Sequence, residues 1–511
     1  MRQFLSLIFL FSILLFSCKE DENPDGRIPV SIEGFTLSSS YDPAGRLAAD
    51  SEWQHTFGDT ARVVFYSQTT GGGIALNFKP DFSGELPQVL LAPDTYHYQG
   101  HNGYLHVSPF LPVNIEGYLE VSAAGSVRLQ AKTSHQLLSF HKDNLSDESS
   151  IIQPEKTAFF TQGDYYYAYV SPDRLFKAEL KLKNGKTLNW GLDTRDFRHS
   201  SYYFKAAGSG AQVPPLFDPK LDLQRTTVNL DAESIPDQLP LYAQTNLDIL
   251  LPEASGLQYV GQNLYAINDG ENTAQIFGVS TGHGGMIRRI TVSNAQNTEW
   301  EDLASDGQYL YIGDFGNNRG TRTDLRILRI PLLELETKNT LEAEVIHFSY
   351  DRQTGPSGAD HRFDCEAMVA RNGQLILFTK PTNAQGSDIY TLSATPGTQV
   401  ARYAGSIETK GWITGADITQ DGKHLLLLGY ENKGVTSQAF VGLVKNAQLP
   451  TLAGSPVKTI YLGSLATTSQ AEGISIDRNG IVKIAGEQIN QSGLTIPQRM
   501  SELDLTGLLQ D

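Results

Sequence analysis

Four carboxylates, Glu299, Glu301, Asp302 and Asp314, crowd around a short hydrophobic strand, Tyr309 to Ile312, in the stretch T-E-W-E-D-L-A-S-D-G-Q-Y-L-Y-I-G-D-F-G-N-N. Carboxylates held against a sheet cost free energy unless something positive compensates them. Either they stay in water at a loop, or they hold a cation. The same pattern (a small or acidic pair, an apolar residue, a glycine turn, a strand) recurs from Ser255, Glu366, Ala416 and Glu472. Equivalent positions would gather Glu301, Glu366 and Glu472 on one axis, with Asp417 one residue later in its own copy. Like charges that close cannot all ionise without a counter-ion. A hard cation with oxygen ligands, Ca²⁺ above all, would resolve the crowding, since it tolerates many ligands and irregular geometry. The competing expectation is that these acids cap or hydrogen-bond neighbouring strands.

A second set of polar residues falls at strand ends, where side chains could face a ligand: Asn268, Asp269, Asp302, Asp314, Asn317, Asn318, Lys380 and Glu487. Gly313 and Gly316 allow the tight path around Asp314. Arg319 and Arg322 lie just beyond, and basic groups beside a cation could seat an anionic or phosphorylated substrate. Two functions stay open. In the first the chain binds an extracellular small molecule, glycan or protein at a calcium-organised mouth. In the second it is a metal-assisted hydrolase, with Glu301, Glu366 and Glu472 as ligands and Asp269 or Asp314 as base. His283 and His361 lie in loops, where solvation is the ordinary role of histidine. There is no Gly-x-Ser-x-Gly elbow and no His-Glu-x-x-His, which argues against a serine hydrolase and a zincin.

The elements that must position these residues are strands. With 47 Gly, 23 Pro and aromatics at 10%, and few long helical patterns, the 511-residue chain reads as all-β. Five copies of the pattern beyond residue 241 signal a β-propeller, whose blades bury their faces only by stacking. Leu247–Leu251 pairing with Met500–Leu505 would add a sixth blade and close the ring, so the expectation is five or six blades over 241–511. Residues 31–230 alternate apolar and polar as a β-sandwich region of one or two small domains, with a break near 144–154. Phe176 to Leu188 reads as a hairpin about an Asn184-Gly185 type I′ turn. Asp231–Pro240 reads as a linker.

Met1-Arg2-Gln3 followed by an apolar run ending in Leu15-Phe16-Ser17-Cys18 is too short for an ordinary spanning helix. It resembles a bacterial lipobox, which implies a signal peptide over 1–17, acylation of Cys18 and membrane attachment through lipid, with 18–30 as tether. The acidic Lys19-Glu20-Asp21-Glu22 resembles the export tag of Bacteroidota surface lipoproteins, implying an outer-membrane, cell-surface location. A net charge of −17 disfavours a nucleic-acid partner.

The ordered run Glu253-Ala-Ser-Gly-Leu, Asn268-Asp269, Glu299-Trp-Glu-Asp-Leu-Ala, Gly313-Asp-Phe-Gly-Asn-Asn, Phe363-Asp-Cys-Glu-Ala-Met, Thr414-Gly-Ala-Asp-Ile and Ala471-Glu-Gly-Ile resembles a bacterial extracytoplasmic propeller family. That family is labelled phytase-like or esterase-like and is similar to the SdiA-regulated propellers. The resemblance implies a central calcium site and, as an alternative function, phosphoesterase or esterase activity. The region before it loosely resembles fimbrillin-like domains.

Overall fold

The computed structural model describes residues 26–39, 55–82, 84–194, 199–208, 223–358, 361–382, 386–431, 433, 436–491 and 493–510. The signal segment, Cys18 and the first part of the tether lie outside the described residues. Two short helices, Leu332–Thr337 and Leu465–Thr468, interrupt a chain of strands. Among the described residues no helix is long and apolar enough to cross a membrane.

The chain forms two compact units that part between Ser134 and His135, with Leu105–Pro109 belonging to the second. The expected break at 144–154 is therefore not the boundary. That segment lies inside the second unit and comprises most of the loop after strand Gln136–His141 together with the strand Ser150–Gln153. In the first unit, alternation does what period two requires: Ala61–Ser67 buries every second side chain. Seven strands form one sheet in the order Gly73–Phe78, Ala61–Ser67, Asp94–His101, Asn114–Val121, Gly125–Thr133, Ile28–Ser39 and Gln88–Leu91.

The second unit begins with a two-sheet sandwich. Ser150–Gln153, Leu175–Lys181 and Thr187–Asp193 belong to one sheet, and Tyr165–Val170, Gln136–His141, His199–Lys205 and Leu223–Asn229 to the other. Phe140, Phe176, Trp190 and Phe204 are fully buried between them. The expected hairpin is present, but its turn differs. Leu182 N–H donates to Lys186 O (2.8 Å), which leaves a three-residue loop in which Gly185 alone is left-handed, at φ +87°.

Five blades of four strands each follow; the second and third are joined into one eight-stranded sheet by the parallel pair Glu344–Tyr350 and Gly397–Ile407, and Thr340–Leu341 adds an edge strand to the first. The innermost strands of the blades, Ala254–Val260, Trp300–Ser305, Cys365–Arg371, Trp412–Ile418 and Gln470–Ile476, neighbour one another in a closed ring. This is a five-bladed propeller. The glycine that turns each inner strand into the next (Gly261, Gly307, Gly373, Gly422, Gly480) is left-handed in all five blades. Separate apolar clusters fill the seams between blades; Trp300 lies between the first two, among Ile267, Ile276, Leu303 and Ile312. Among the described residues no sixth blade forms. Tyr242–Asn246, not Leu247–Leu251, pairs with Arg499–Asp504 and becomes the outermost strand of blade five.

The sandwich is built onto blades four and five. One core joins Trp190, Phe204 and Leu239 to Leu426, Ile460, Ile484 and Leu503. Lys177 reaches Asp504 at 2.5 Å, and Asn189 Nδ2 donates to Asp504 Oδ1 (3.1 Å). Burial alone would raise the Asp504 carboxyl; Lys177 and Thr506 outweigh it and hold the group below its ordinary value.

Candidate functional site

Each inner strand carries one irregularity at the same place. Pairing with the second strand slips between Ala254 and Leu257, Trp300 and Asp302, Cys365 and Ala367, Ile413 and Gly415, and Ala471 and Gly473. These are β-bulges, which re-aim a side chain out of the regular pleat. The residues they displace are Ser255, Glu301, Glu366, Thr414 and Glu472, so structure rather than sequence defines the equivalent positions. Three are the expected acids. Blade four offers Thr414 in place of Asp417, and its hydroxyl donates to Ala471 O (2.8 Å).

Two further rings of residues flank the bulges. At the end of each second strand, or one residue past it, come Asp269, Phe315, Lys380, Tyr430 and Glu487; two residues before each bulge come Glu253, Glu299, Asp364, Trp412 and Gln470. Backbone bonds align the two rings, Asp269 N to Glu253 O at 2.9 Å, Phe315 N to Glu299 O at 3.1 Å and Lys380 N to Asp364 O at 2.7 Å. The three rings hold eight carboxylates (Glu253, Asp269, Glu299, Glu301, Asp364, Glu366, Glu472, Glu487) and one cationic side chain, Lys380.

Lys380 Nζ lies 2.7 Å from Glu366 Oε1 in an ion pair whose angles fall short of an aligned hydrogen bond. Gln470 Nε2 bridges Glu472 (2.8 Å) and Glu487 (3.1 Å). On the opposite side, oxygens of Asp269, Glu299 and Glu301 all lie within 4.8 Å of one another. Glu301 is buried and its Oε1 has no hydrogen-bond partner. Two glycines make room for this trio. A Cβ on Gly316 would sit 1.9 Å from Glu301 Oε1, and one on Gly270 would sit 3.0 Å from Glu299 Oε2.

Desolvation dominates the electrostatics. Burial, with Glu366 nearby, raises Asp269 to about 6, against the Gly270 N–H and Lys380. Burial raises Glu366 and Glu472 to about 8 even though Lys380 opposes it. Burial and neighbouring acids also raise Glu299, Glu301 and Glu487. One ammonium does not neutralise such a set; protons or a further cation must. The donors of the trio are carboxylate oxygens throughout, with no imidazole or thiolate among them, which fits a hard cation such as Ca²⁺ and not a soft one.

Several expected site residues have other work. Asp417 Oδ2 accepts from Ser475 Oγ (2.8 Å) and Ile476 N (2.9 Å), and Oδ1 from Ile418 N (2.8 Å). It ties blade four to blade five and is not placed as a metal ligand. Asp302 does the same between blades two and three, accepting from Leu303 N and Met368 N, both at 2.8 Å. Asp314 is fully buried between Arg322 (3.0 Å) and Arg326 (2.7 Å), so it is neither a rim group nor an available base. That leaves Arg322 committed as well. Asn268 is buried and donates to Leu250 O (2.8 Å); Asn317 is buried, its backbone N–H on Asp364 Oδ1 (2.6 Å). Asn318, Arg319 and His283 are exposed, and His361 is buried with Nδ1 accepting from Phe363 N (3.0 Å). Sequence reasoning put Glu299 among the crowded carboxylates but not among the ligands; it lies just before the strand Trp300–Ser305, where the bulge at Glu301 brings the two together. The same reasoning missed the aromatic side of the mouth, Trp412 and Tyr430.

Asp417→Ala should cost about 1–3 kcal/mol in chemical denaturation, because two buried backbone N–H groups lose their acceptor. A calorimetric titration with Ca²⁺ should give the same heat as the parent.

No family model and no curated protein matches the chain. Among solved structures, it is similar to hydrazine synthase from Kuenenia stuttgartiensis (12% identity, TM-score 0.25, covering 49% of this chain and 60% of that one). It is also similar to a fimbrial protein from Bacteroides ovatus (8%, 0.25, 41% and 53%). A third likeness is to an α-L-arabinofuranosidase from Fusarium graminearum (8%, 0.34, 53% and 99%). The chain thus spans little more than half of the first two. Likenesses at this level say nothing about chemistry.

Proposed function

We propose that this chain is a lipid-anchored envelope protein whose propeller mouth binds Ca²⁺ and, through it, an extracellular ligand. The observation that carries the cation is the trio Asp269, Glu299 and Glu301, with a buried Glu301 oxygen that has no hydrogen-bond partner among the described residues. Glu301 and Glu299 would supply ligand oxygens on blade two and Asp269 on blade one. Lys380 pairs with Glu366 and also acts on Glu301 and Asp269, so a cation near the trio would not have to compensate the whole mouth. A bound Ca²⁺ would supply positive charge and open coordination positions to a ligand's oxygens.

Calorimetric titration of the chelator-treated soluble chain with Ca²⁺ tests this. Glu301→Gln should weaken binding at least about tenfold, or roughly 1.4 kcal/mol. Heat indistinguishable from dilution in the parent would end the reading. A hydrolase is the second reading, in which Asp269, beside Glu299 and Glu301, would serve as base and not as a ligand. Calcium-dependent turnover of p-nitrophenyl phosphate or acetate, lost in Asp269→Asn, would select it over binding alone.

The lipid anchor rests on the run ending at Cys18. Metabolic labelling with a palmitate analogue should mark the parent and leave Cys18→Ala unlabelled; equal labelling of both would refute it.

A further inference from the structure

A cavity of about 380 Å³ opens where the sandwich meets blade four. Its walls come from strands Thr187–Asp193, His199–Lys205 and Leu223–Asn229 of the sandwich, from the 238–240 linker, and from the two outer strands of blade four, Gln438–Val444 and Lys458–Ser464. We propose that this cavity is a second binding site, for a neutral polyhydroxylated ligand of one or two sugar rings.

The lining chemistry points to that class. Among the described residues no lysine, arginine or histidine lines it, and the one carboxylate among them, Asp193, is engaged by the backbone N–H groups of Ala243 (3.0 Å) and Gln244 (3.2 Å). A phosphate or sulfate would find no counter-charge, and an amine would find only a carboxylate already in use. The polar groups are instead amides. Gln136 and Gln238 are fixed, donating to Ser200 Oγ (2.9 Å) and Thr227 O (2.8 Å). The side-chain amides of Gln224 and Gln438 are not committed to a hydrogen bond among the described residues. An amide offers a donor and an acceptor side by side, which matches a hydroxyl that both gives and takes a hydrogen bond. Apolar surface comes from Trp190, Tyr202 and Tyr461, against which the C–H face of a ring can pack. Trp190 Nε1 has no aligned acceptor, although the Tyr202 hydroxyl lies near it.

The walls are also rigid. Trp190 and Tyr202 sit in the core shared with the propeller, and the linker is bonded along blade four, Leu239 N to Tyr461 O at 3.0 Å and Tyr461 N to Asp237 O at 2.9 Å. Small-ligand sites are usually preformed cavities of about 300–1,000 Å³ with a few placed polar groups, and this one lies at the lower end.

The test is saturation-transfer NMR and calorimetry on the full soluble chain in EDTA, so that the acidic mouth does not contribute. The probes are cellobiose, maltose, xylobiose and N-acetylglucosamine, with glucose 6-phosphate as the charged control. At least one neutral saccharide should bind with a Kd below about 1 mM. The Gln224→Ala/Gln438→Ala variant should bind it at least about tenfold more weakly, with an unchanged melting temperature. If that variant fails to fold, Gln224→Ala alone, at an exposed side chain, should still weaken binding. The proposal is overturned if no neutral saccharide binds, if the variants bind as tightly as the parent, or if glucose 6-phosphate binds as well as the neutral sugars.

Discussion

Lys380→Met should lower the stability of the metal-free protein by about 3–5 kcal/mol, the usual cost of leaving a buried charge without its partner. Methionine keeps the length and most of the volume, so the loss would be electrostatic. Lys380 stands 2.7 Å from Glu366, and Glu366, Asp364 and Glu472 together hold its ammonium well above the ordinary lysine value against the opposing effect of burial. Without it, the three rings have no cationic side chain. Saturating Ca²⁺ should restore part of the loss if the trio takes a cation. Acidification should restore stability as well, and the sign follows from the direction of the shifts. Glu366 and Glu472 are raised from 4.5 to about 8, so the folded form holds protons that the unfolded chain has released. Their contribution is complete below about 4.5 and is lost as pH rises through about 8. The slope is up to about 1.4 kcal/mol per pH unit for each group. Urea denaturation of parent and variant at pH 5, 7 and 9, in EDTA or Ca²⁺, measures all of this. A variant as stable as the parent in EDTA at pH 9 would show that Lys380 does not balance the mouth.

Gly473→Val should cost about 3 kcal/mol or more, at the upper end of overpacking penalties, because there is no room and no flexible neighbour to yield. A Cβ at Gly473 would stand 2.3 Å from the backbone oxygen of Ser255 and 3.0 Å from Leu257 Cβ. Gly415 meets Glu472 O at 2.3 Å in the same way, and Gly256 meets Leu303 N at 2.7 Å. All three stand next to the bulge, where neighbouring inner strands come closest. Gly473 belongs to the seam between blades five and one, so pushing it apart opens the ring. Thermal melting and limited proteolysis would show a much lower transition and early cutting, whereas Gly282→Ala, in open space at the surface, should change stability by less than about 0.5 kcal/mol. A Gly473→Val protein that melts with the parent would mean the seam can widen freely.

What the sequence revealed and what it hid have physical reasons. Each blade was legible because its first two strands are local, joined by a left-handed glycine and patterned by burial. The convergence of Glu301, Glu366 and Glu472 was legible for the same reason: all three occupy one position in a local repeat. Blade four was misaligned by one acid. Asp417 looked like the missing carboxylate, yet the bulge displaces Thr414, and pairing register is not written in residue type. The ring closure was assigned to Leu247–Leu251 on hydrophobicity, whereas the strand is Tyr-Ala-Gln-Thr-Asn, an edge with little apolar signal. Asp314 read as a rim group because the two arginines that bury it, Arg322 and Arg326, lie eight and twelve residues on, and nothing local shows them folding back. The 134/135 division was invisible for a related reason. It reflects which sheet the strand Gln136–His141 joins, and that is a long-range choice.

Because Tyr242–Asn246 is fastened to Arg499–Asp504, the propeller is a belt buckled with pieces from its two ends. A ribosome delivers the leading piece first and the catch about 250 residues later, so the nascent belt must wait, open, until Arg499–Asp504 has emerged. A chain clipped or stalled before Arg499 would carry two raw strand edges, Tyr242–Asn246 and Ile481–Glu487, each ready to pair with whatever polypeptide is nearest.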